Sequence, residues 1–255
     1  MASKPELIFI HGAGSNAGFW QMQREAFPGA HFVNLPGHSE GREPVGEPGF
    51  HSVEEYAGWV ARYVEGLGIK SVVLNGHSMG GAITLTLALR RPEWLRGIVL
   101  TGTGARLRVL PSLLDLLSDD YVAAVDLIME WSFATGGDEL SYAQKVRHNG
   151  TRRQLLRTPS AVTATDYRAC NVYDVMPRVR EIKLPALCIV GAQDRMTPLR
   201  YSQFLHEAIV GSELEIIEGA GHMLPLEQPD RYNRALRSFL EIISREERKE
   251  SSGTE

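Results

Sequence analysis

Two hydrophobic periods alternate along this chain. Short apolar runs with β-branched character recur at Leu7-Ile8-Phe9-Ile10, His31-Phe32-Val33-Asn34-Leu35, Ser71-Val72-Val73-Leu74, Gly97-Ile98-Val99-Leu100-Thr101, Ala186 to Gly191 and Leu214-Glu215-Ile216-Ile217. Their length and composition predict buried strands. Helical stretches separate them, around Ala17 to Phe27, Ala82 to Leu89, Leu199 to Ile209 and Pro229 to Ser244. A further helix buries one face through Val53, Tyr56, Ala57, Val60, Val64 and Leu67, with Ser52 as N-cap and Glu55 completing a capping box. Arg91-Pro92 ends the Ala82 helix, because proline cannot continue it. Regular strand–helix alternation predicts an α/β fold, a mostly parallel central sheet with helices on both faces.

The alternation fails between Arg106 and Glu181. This stretch starts Leu-rich and continues through Val122, Val125, Ile128, Met129, Trp131 and Phe133, broken by Gly136-Gly137 and Pro159. It reads as a helical cap, 106–181, inserted into a core made of 1–105 and 182–255. The cap carries ten basic and ten acidic residues, so its overall charge favours neither an anionic nor a cationic substrate. Residues 246–255 read as a frayed, flexible tail.

Composition narrows the classes. The 255 residues carry 27 Lys and Arg against 31 Asp and Glu, a formal charge of −4, which argues against a nucleic-acid partner. Cys170 and Cys188 are the two cysteines. Cys188 sits in an apolar run and Cys170 in a polar region, with no disulfide framework, as expected in a reducing cytosol. Met1 to Pro5 runs straight into a strand, leaving no room for a signal peptide, and no apolar run is long enough to span a membrane. A cytoplasmic protein is expected, monomer or dimer.

The chemistry centres on Gly76-His77-Ser78-Met79-Gly80, which fits G-x-S-x-G between a strand and a helix. A serine on so tight a turn needs neighbours without a Cβ, and its Oγ then stands at the positive end of a helix. A free serine is a poor nucleophile and needs a base oriented by an acid. Of eight histidines, His222 follows Glu218-Gly219-Ala220-Gly221 just past the last strand and is the expected base. His38, in a Gly-Pro loop, is a weaker candidate; His77 is expected to pack, and His31, His51, His148 and His206 to lie at the surface. Asp194, after the preceding strand, is the expected acid, set against the alternative that it caps a helix for which Thr197-Pro198 looks the better cap. Met79 N–H and a second donor from His11-Gly12-Ala13-Gly14, Ala13 first and Gly14 second, would form an oxyanion hole. His11 itself is expected to anchor that loop. Ser78, the His11 loop, Asp194 and His222 all follow strands, so all fall at one edge of the sheet. Leu107, Leu110, Leu114, Trp131, Phe133 and Met223 are candidates for a substrate pocket. Nothing calls for a cofactor or a metal.

These motifs resemble the α/β-hydrolase superfamily: HGAG at 11–14, NLPGHSEG at 34–41, GHSMGG at 76–81, GAQDRMTP at 191–198 and GAGHMLPLEQP at 219–229. The resemblance implies a Ser78–Asp194–His222 triad and a sheet of about six strands, two fewer than is usual. It departs from the family at Asn34, where an Asp usually braces the loop. The chain looks most like serine carboxylesterases and monoacylglycerol-lipase-like enzymes, which implies a small-molecule ester as substrate; no extended lipid-binding surface is evident, so a small to medium acyl chain is expected. Met223 stands where carbon–carbon bond hydrolases usually carry an aromatic residue, and Ala82 where menaquinone-pathway synthases carry arginine. Enol-lactonases and cofactor-free haloperoxidases share the pattern; an acyltransferase and a non-enzymatic small-molecule receptor retaining the triad are the competing classes.

Overall fold

The computed structural model describes residues 5–39, 49–134 and 141–252. The Gly136-Gly137 break and the loop through Pro44 and Pro48 lie outside them. Six strands, β1 (Glu6–Ile10), β2 (His31–Val33), β3 (Val72–His77), β4 (Leu95–Thr101), β5 (Ala186–Gly191) and β6 (Glu213–Ile217), form one parallel sheet in the order β2-β1-β3-β4-β5-β6. β2 is shorter than its apolar run. Leu35 N–H turns to the His11 ring and the Asn34 side chain accepts from Ala17 N–H, so neither residue extends the ladder.

Period-two alternation sorts each strand between two cores. Ile8, Ile10, Leu74, Ile98, Leu100 and Cys188 face one side, against helices α2 (Val53–Leu67), α3 (Met79–Arg90) and α8 (Leu199–Ala208). Leu7, Phe9, Val73, Val99, Leu187 and Ile189 face the other. There they meet α10 (Pro229–Ser252), the 3-10 turn Ala17–Trp20 that precedes α1 (Gln21–Ala26), and the cap. Each fully buried Leu, Ile, Val or Phe contributes about 1.5–3 kcal/mol relative to exposure.

Helix α2 buries the expected stripe except Leu67, which is exposed in the last turn before left-handed Gly68. Ser52 Oγ accepts from Glu55 N–H, but the Glu55 carboxylate turns back to His51 N–H and the Ser52 hydroxyl rather than to Ser52 N–H. The cap comprises α4 (Pro111–Asp119), α5 (Tyr121–Ser132), α6 (Tyr142–Arg157) and α7 (Ser160–Val172) between β4 and β5. Helix α10 runs as far as Ser252, and residues 253–255 of the expected tail lie outside the described residues. One expectation changes. Cys170 is buried in α7, not polar in its surroundings.

Candidate active site

β3 ends and α3 begins at Ser78, whose φ of 53° and ψ of −115° put a non-glycine residue in a strained region. Glycine makes the turn possible on both sides: a Cβ on Gly76 would strike the Gly80 carbonyl, and one on Gly80 the Ile10 carbonyl. Two bonds from the next strand and its loop fix the strained unit. Ser78 N–H donates to Thr101 O at 2.9 Å, and the Thr103 hydroxyl donates to Ser78 O at 2.7 Å. Met79 opens α3, so its N–H has no acceptor within the helix and lies at the positive end of the helix dipole.

His222 sits in the turn between β6 and α9 (Leu224–Glu227), 3 % exposed. Its Nδ1 lies 2.8 Å from Asp194 Oδ2. Asp194, just past β5, accepts Met196 and Thr197 N–H on Oδ1 and the Thr197 hydroxyl on Oδ2. Burial alone would raise the Asp194 carboxyl; the His222 charge and hydrogen bond, with the donors of Thr197, hold it below the usual range. Thr197 therefore does not cap α8, whose N-cap is Pro198 without a side-chain bond. Its hydroxyl serves Asp194 instead. Ser78 and His222 line the same narrow cleft, and among the described residues no hydrogen bond joins their side chains. Such bonds often tighten only when substrate binds.

Besides backbone bonds such as Met223 N–H to the Ser132 carbonyl at 3.1 Å, two side chains brace the His222 turn, and no local sequence pattern signals either. His77 Nε2 is 2.9 Å from the His222 carbonyl, and its ring stacks on Phe19. Burial, with the neighbouring His222, pushes His77 down to about 3, so it is neutral and donates Nε2–H to the carbonyl. Glu227 accepts Gly221 N–H at 2.9 Å and Ala134 N–H at 2.8 Å, clasping the turn to the segment just after cap helix α5. Burial raises its carboxyl to about 7.

In the loop after β1, His11 Nε2 accepts Leu35 N–H and Nδ1 is 2.9 Å from Gly12 O. It anchors the loop and touches nothing in the cleft; burial and the nearby His38 keep it neutral. Gly14 N–H donates to Asp166 Oδ2 at 2.9 Å, whereas Ala13 N–H finds no acceptor among the described residues and Ala13 lines the cleft. His38 points into the interior, onto Asp166 of α7, not into the cleft. His31 pairs with Glu6, His206 bonds Ser212, His51 is exposed, and His148 packs half-buried against Phe133.

Of the pocket candidates, Leu107, Leu110 and Trp131 line a cavity of about 230 Å³ that reaches Ser78, and Met223 lines the adjoining cleft. Leu114 and Phe133 line neither and pack into the core beneath the cap. On α4 the lining residue is Leu113, one position, or roughly 100°, around the helix from Leu114. Among the described residues no group of His, Cys, Asp and Glu is placed to hold a metal ion, and no helix is long and apolar enough to cross a membrane. The two thiols are buried, and burial raises Cys188 to about 12.

The chain is similar to known proteins over nearly its whole length. A 3-oxoadipate enol-lactonase of Acinetobacter baylyi is 28% identical over 248 residues, spanning 94% of this chain and 90% of its own. A chain of Pseudomonas savastanoi pv. phaseolicola whose name assigns it provisionally to carbamate hydrolysis is 29% identical, spanning 94% and 95%. The solved structure of a thermophilic esterase superposes with a TM-score of 0.79 at 35% identity, covering 93% of this chain and 90% of its own. The model of the alpha/beta hydrolase family matches residues 7–235, and this chain belongs to that family.

Proposed function

We propose that the protein is a serine hydrolase of carboxylic esters with small to medium acyl groups, working through an acyl-enzyme. The observation that carries this reading is Ser78, strained at the head of α3, in one cleft with a His222 whose Nδ1 is held by a buried Asp194. Ser78 Oγ attacks the ester carbonyl carbon as His222 Nε2 takes its proton. The oxyanion settles on Ala13 and Met79 N–H groups, and its collapse expels the alcohol oxygen, which takes the proton from His222. Water, deprotonated by His222, then attacks the acyl-Ser78 carbonyl; collapse breaks the bond to Ser78 Oγ, which takes the proton back from His222, and the acid is freed. Asp194 keeps the Nδ1–H tautomer and balances the imidazolium. The same steps open an enol-lactone, which is an internal ester, and the 28% identical enol-lactonase makes that the second reading.

Turnover of p-nitrophenyl esters of graded length, with lactones included, tests it. Ser78→Ala should lower kcat on the order of 10⁵–10⁶-fold and abolish mass labelling of residue 78 by a fluorophosphonate. Retained turnover in that variant would overturn the assignment.

A further inference from the structure

The cavity beside Ser78 has a charge that the cap as a whole lacks. Leu107, Leu113 and Tyr167 are buried in its wall, and Arg108, Arg195 and Arg200, all exposed, complete the lining without any Asp or Glu. Among the described residues none of the three has a carboxylate partner. Arg108 donates to the Asn171 carbonyl at 3.2 Å, Arg195 to the Glu130 carbonyl, and Arg200 lies 5.2 Å over the Tyr201 ring. In the cap, Arg106, Arg152 and Arg178 are each paired with a carboxylate, whereas Arg147 and Arg168 bond to the Leu226 carbonyl and the Ser118 hydroxyl.

We propose that the substrate carries a carboxylate at the end remote from the scissile carbonyl, received by Arg108, Arg195 and Arg200 at the cavity mouth. The inference rests on the ester-hydrolase reading for which bond is cut, and on the cavity for what the substrate looks like. A guanidinium has five N–H donors, so one bond to a carbonyl leaves a fork for a carboxylate. A concave site lined by one sign of charge also concentrates the opposite ion. The size limits the rest. The cavity of about 230 Å³, open beside the arginines, suits a short half-ester or carboxylated lactone better than a long lipid.

The test pairs monomethyl glutarate with methyl pentanoate, which differ in a terminal carboxylate against a methyl group. The half-ester should be preferred about tenfold or more in kcat/KM, chiefly through KM. Arg108→Gln and Arg200→Gln should each pull that ratio towards one, as should salt at about 0.5 M. Because the readout is a ratio within one protein, a general loss of folded enzyme does not imitate it. A ratio of one or less in the wild type, or a ratio unmoved in both variants, overturns the proposal. Calorimetry with glutarate separates the two readings. If neither ester is hydrolysed, the ester-hydrolase reading fails, while glutarate binding that weakens in the arginine variants still supports the anion site. Absence of that binding overturns the site as well.

Discussion

His38 Nε2 lies 2.8 Å from Asp166 Oδ2, with neither side chain exposed. His38 Nδ1 is 3.1 Å from the Pro36 carbonyl, so both ring nitrogens meet acceptors, and only the imidazolium can donate to both. Burial works to lower the His38 pKa, but the charge and hydrogen bond of Asp166 outweigh it and leave the pKa raised. The same carboxylate accepts the Tyr56 hydroxyl at 2.7 Å and Gly14 N–H at 2.9 Å. One buried group on cap helix α7 thus gathers three core segments, and one of them is the loop that carries Ala13.

Asp166→Asn should therefore cost both stability and rate. The amide has one acceptor oxygen for three donors and leaves the imidazolium without a counter-charge. Breaking a buried pair this way costs about 3–5 kcal/mol, readable in urea unfolding. With the Gly14 tether loosened, Ala13 N–H should drift, and kcat should fall on the order of 10²-fold, the usual loss for one oxyanion donor. Reduced stability with kcat intact would restrict Asp166 to joining cap and core.

The same pair sets a pH dependence. His38 is raised above its ordinary 6.5 in the fold, so its contribution is fully present below 6.5 and is lost as pH rises through the folded value. Urea midpoints of the wild type should decline on that alkaline side, and Asp166→Asn should flatten the decline. An equal slope in both proteins would assign it to other groups.

How much of this was legible in the sequence depends on the range of each interaction. Strand runs, the Ser52 cap and the elbow glycines are local, and the fold reproduces them within a residue or two. The adjacency of Ser78, Asp194 and His222 was inferable because all three follow strands of one parallel sheet. Asp166 was not, since its partners His38 and Tyr56 lie 128 and 110 positions away and only tertiary packing joins them. The sequence places His77 beside the strand as a packing residue, but nothing local reveals that its donor reaches His222. The Leu113 and Leu114 exchange reflects helix phase, which a Leu-rich run leaves undetermined.

Asp194 and Thr197 divide one task unequally. Asp194→Asn keeps an oxygen for the Met196 and Thr197 N–H bonds but loses the charge that steadies Nδ1–H of His222. By the precedent of serine hydrolase triads, kcat should fall on the order of 10⁴-fold. Thr197→Val removes the hydroxyl that donates to Oδ2 and also lies 3.2 Å from His222 Nδ1, a loss of about 1 kcal/mol, or several-fold in rate. Equal losses in the two variants would mean that the Thr197 hydroxyl steadies the imidazole as much as the Asp194 charge does.

His77 offers a test in which rate and acid stability move in opposite directions. Its Nε2–H holds the His222 carbonyl, while its Nδ1 is buried without a partner. The folded pKa of about 3 lies below the ordinary 6.5, so between these values the unfolded chain binds the proton and the folded one does not. His77 therefore makes stability fall as pH drops from 6.5 towards 3. In His77→Leu that acid-side slope should shrink, measured as the change in unfolding free energy between pH 7 and pH 5. The His222 carbonyl meanwhile loses its donor, and kcat on a short ester should fall about tenfold, in line with one lost hydrogen bond of about 1–1.5 kcal/mol. A variant with wild-type kcat would reduce His77 to packing beneath Phe19, and an unchanged slope would show that the acid sensitivity lies in another group.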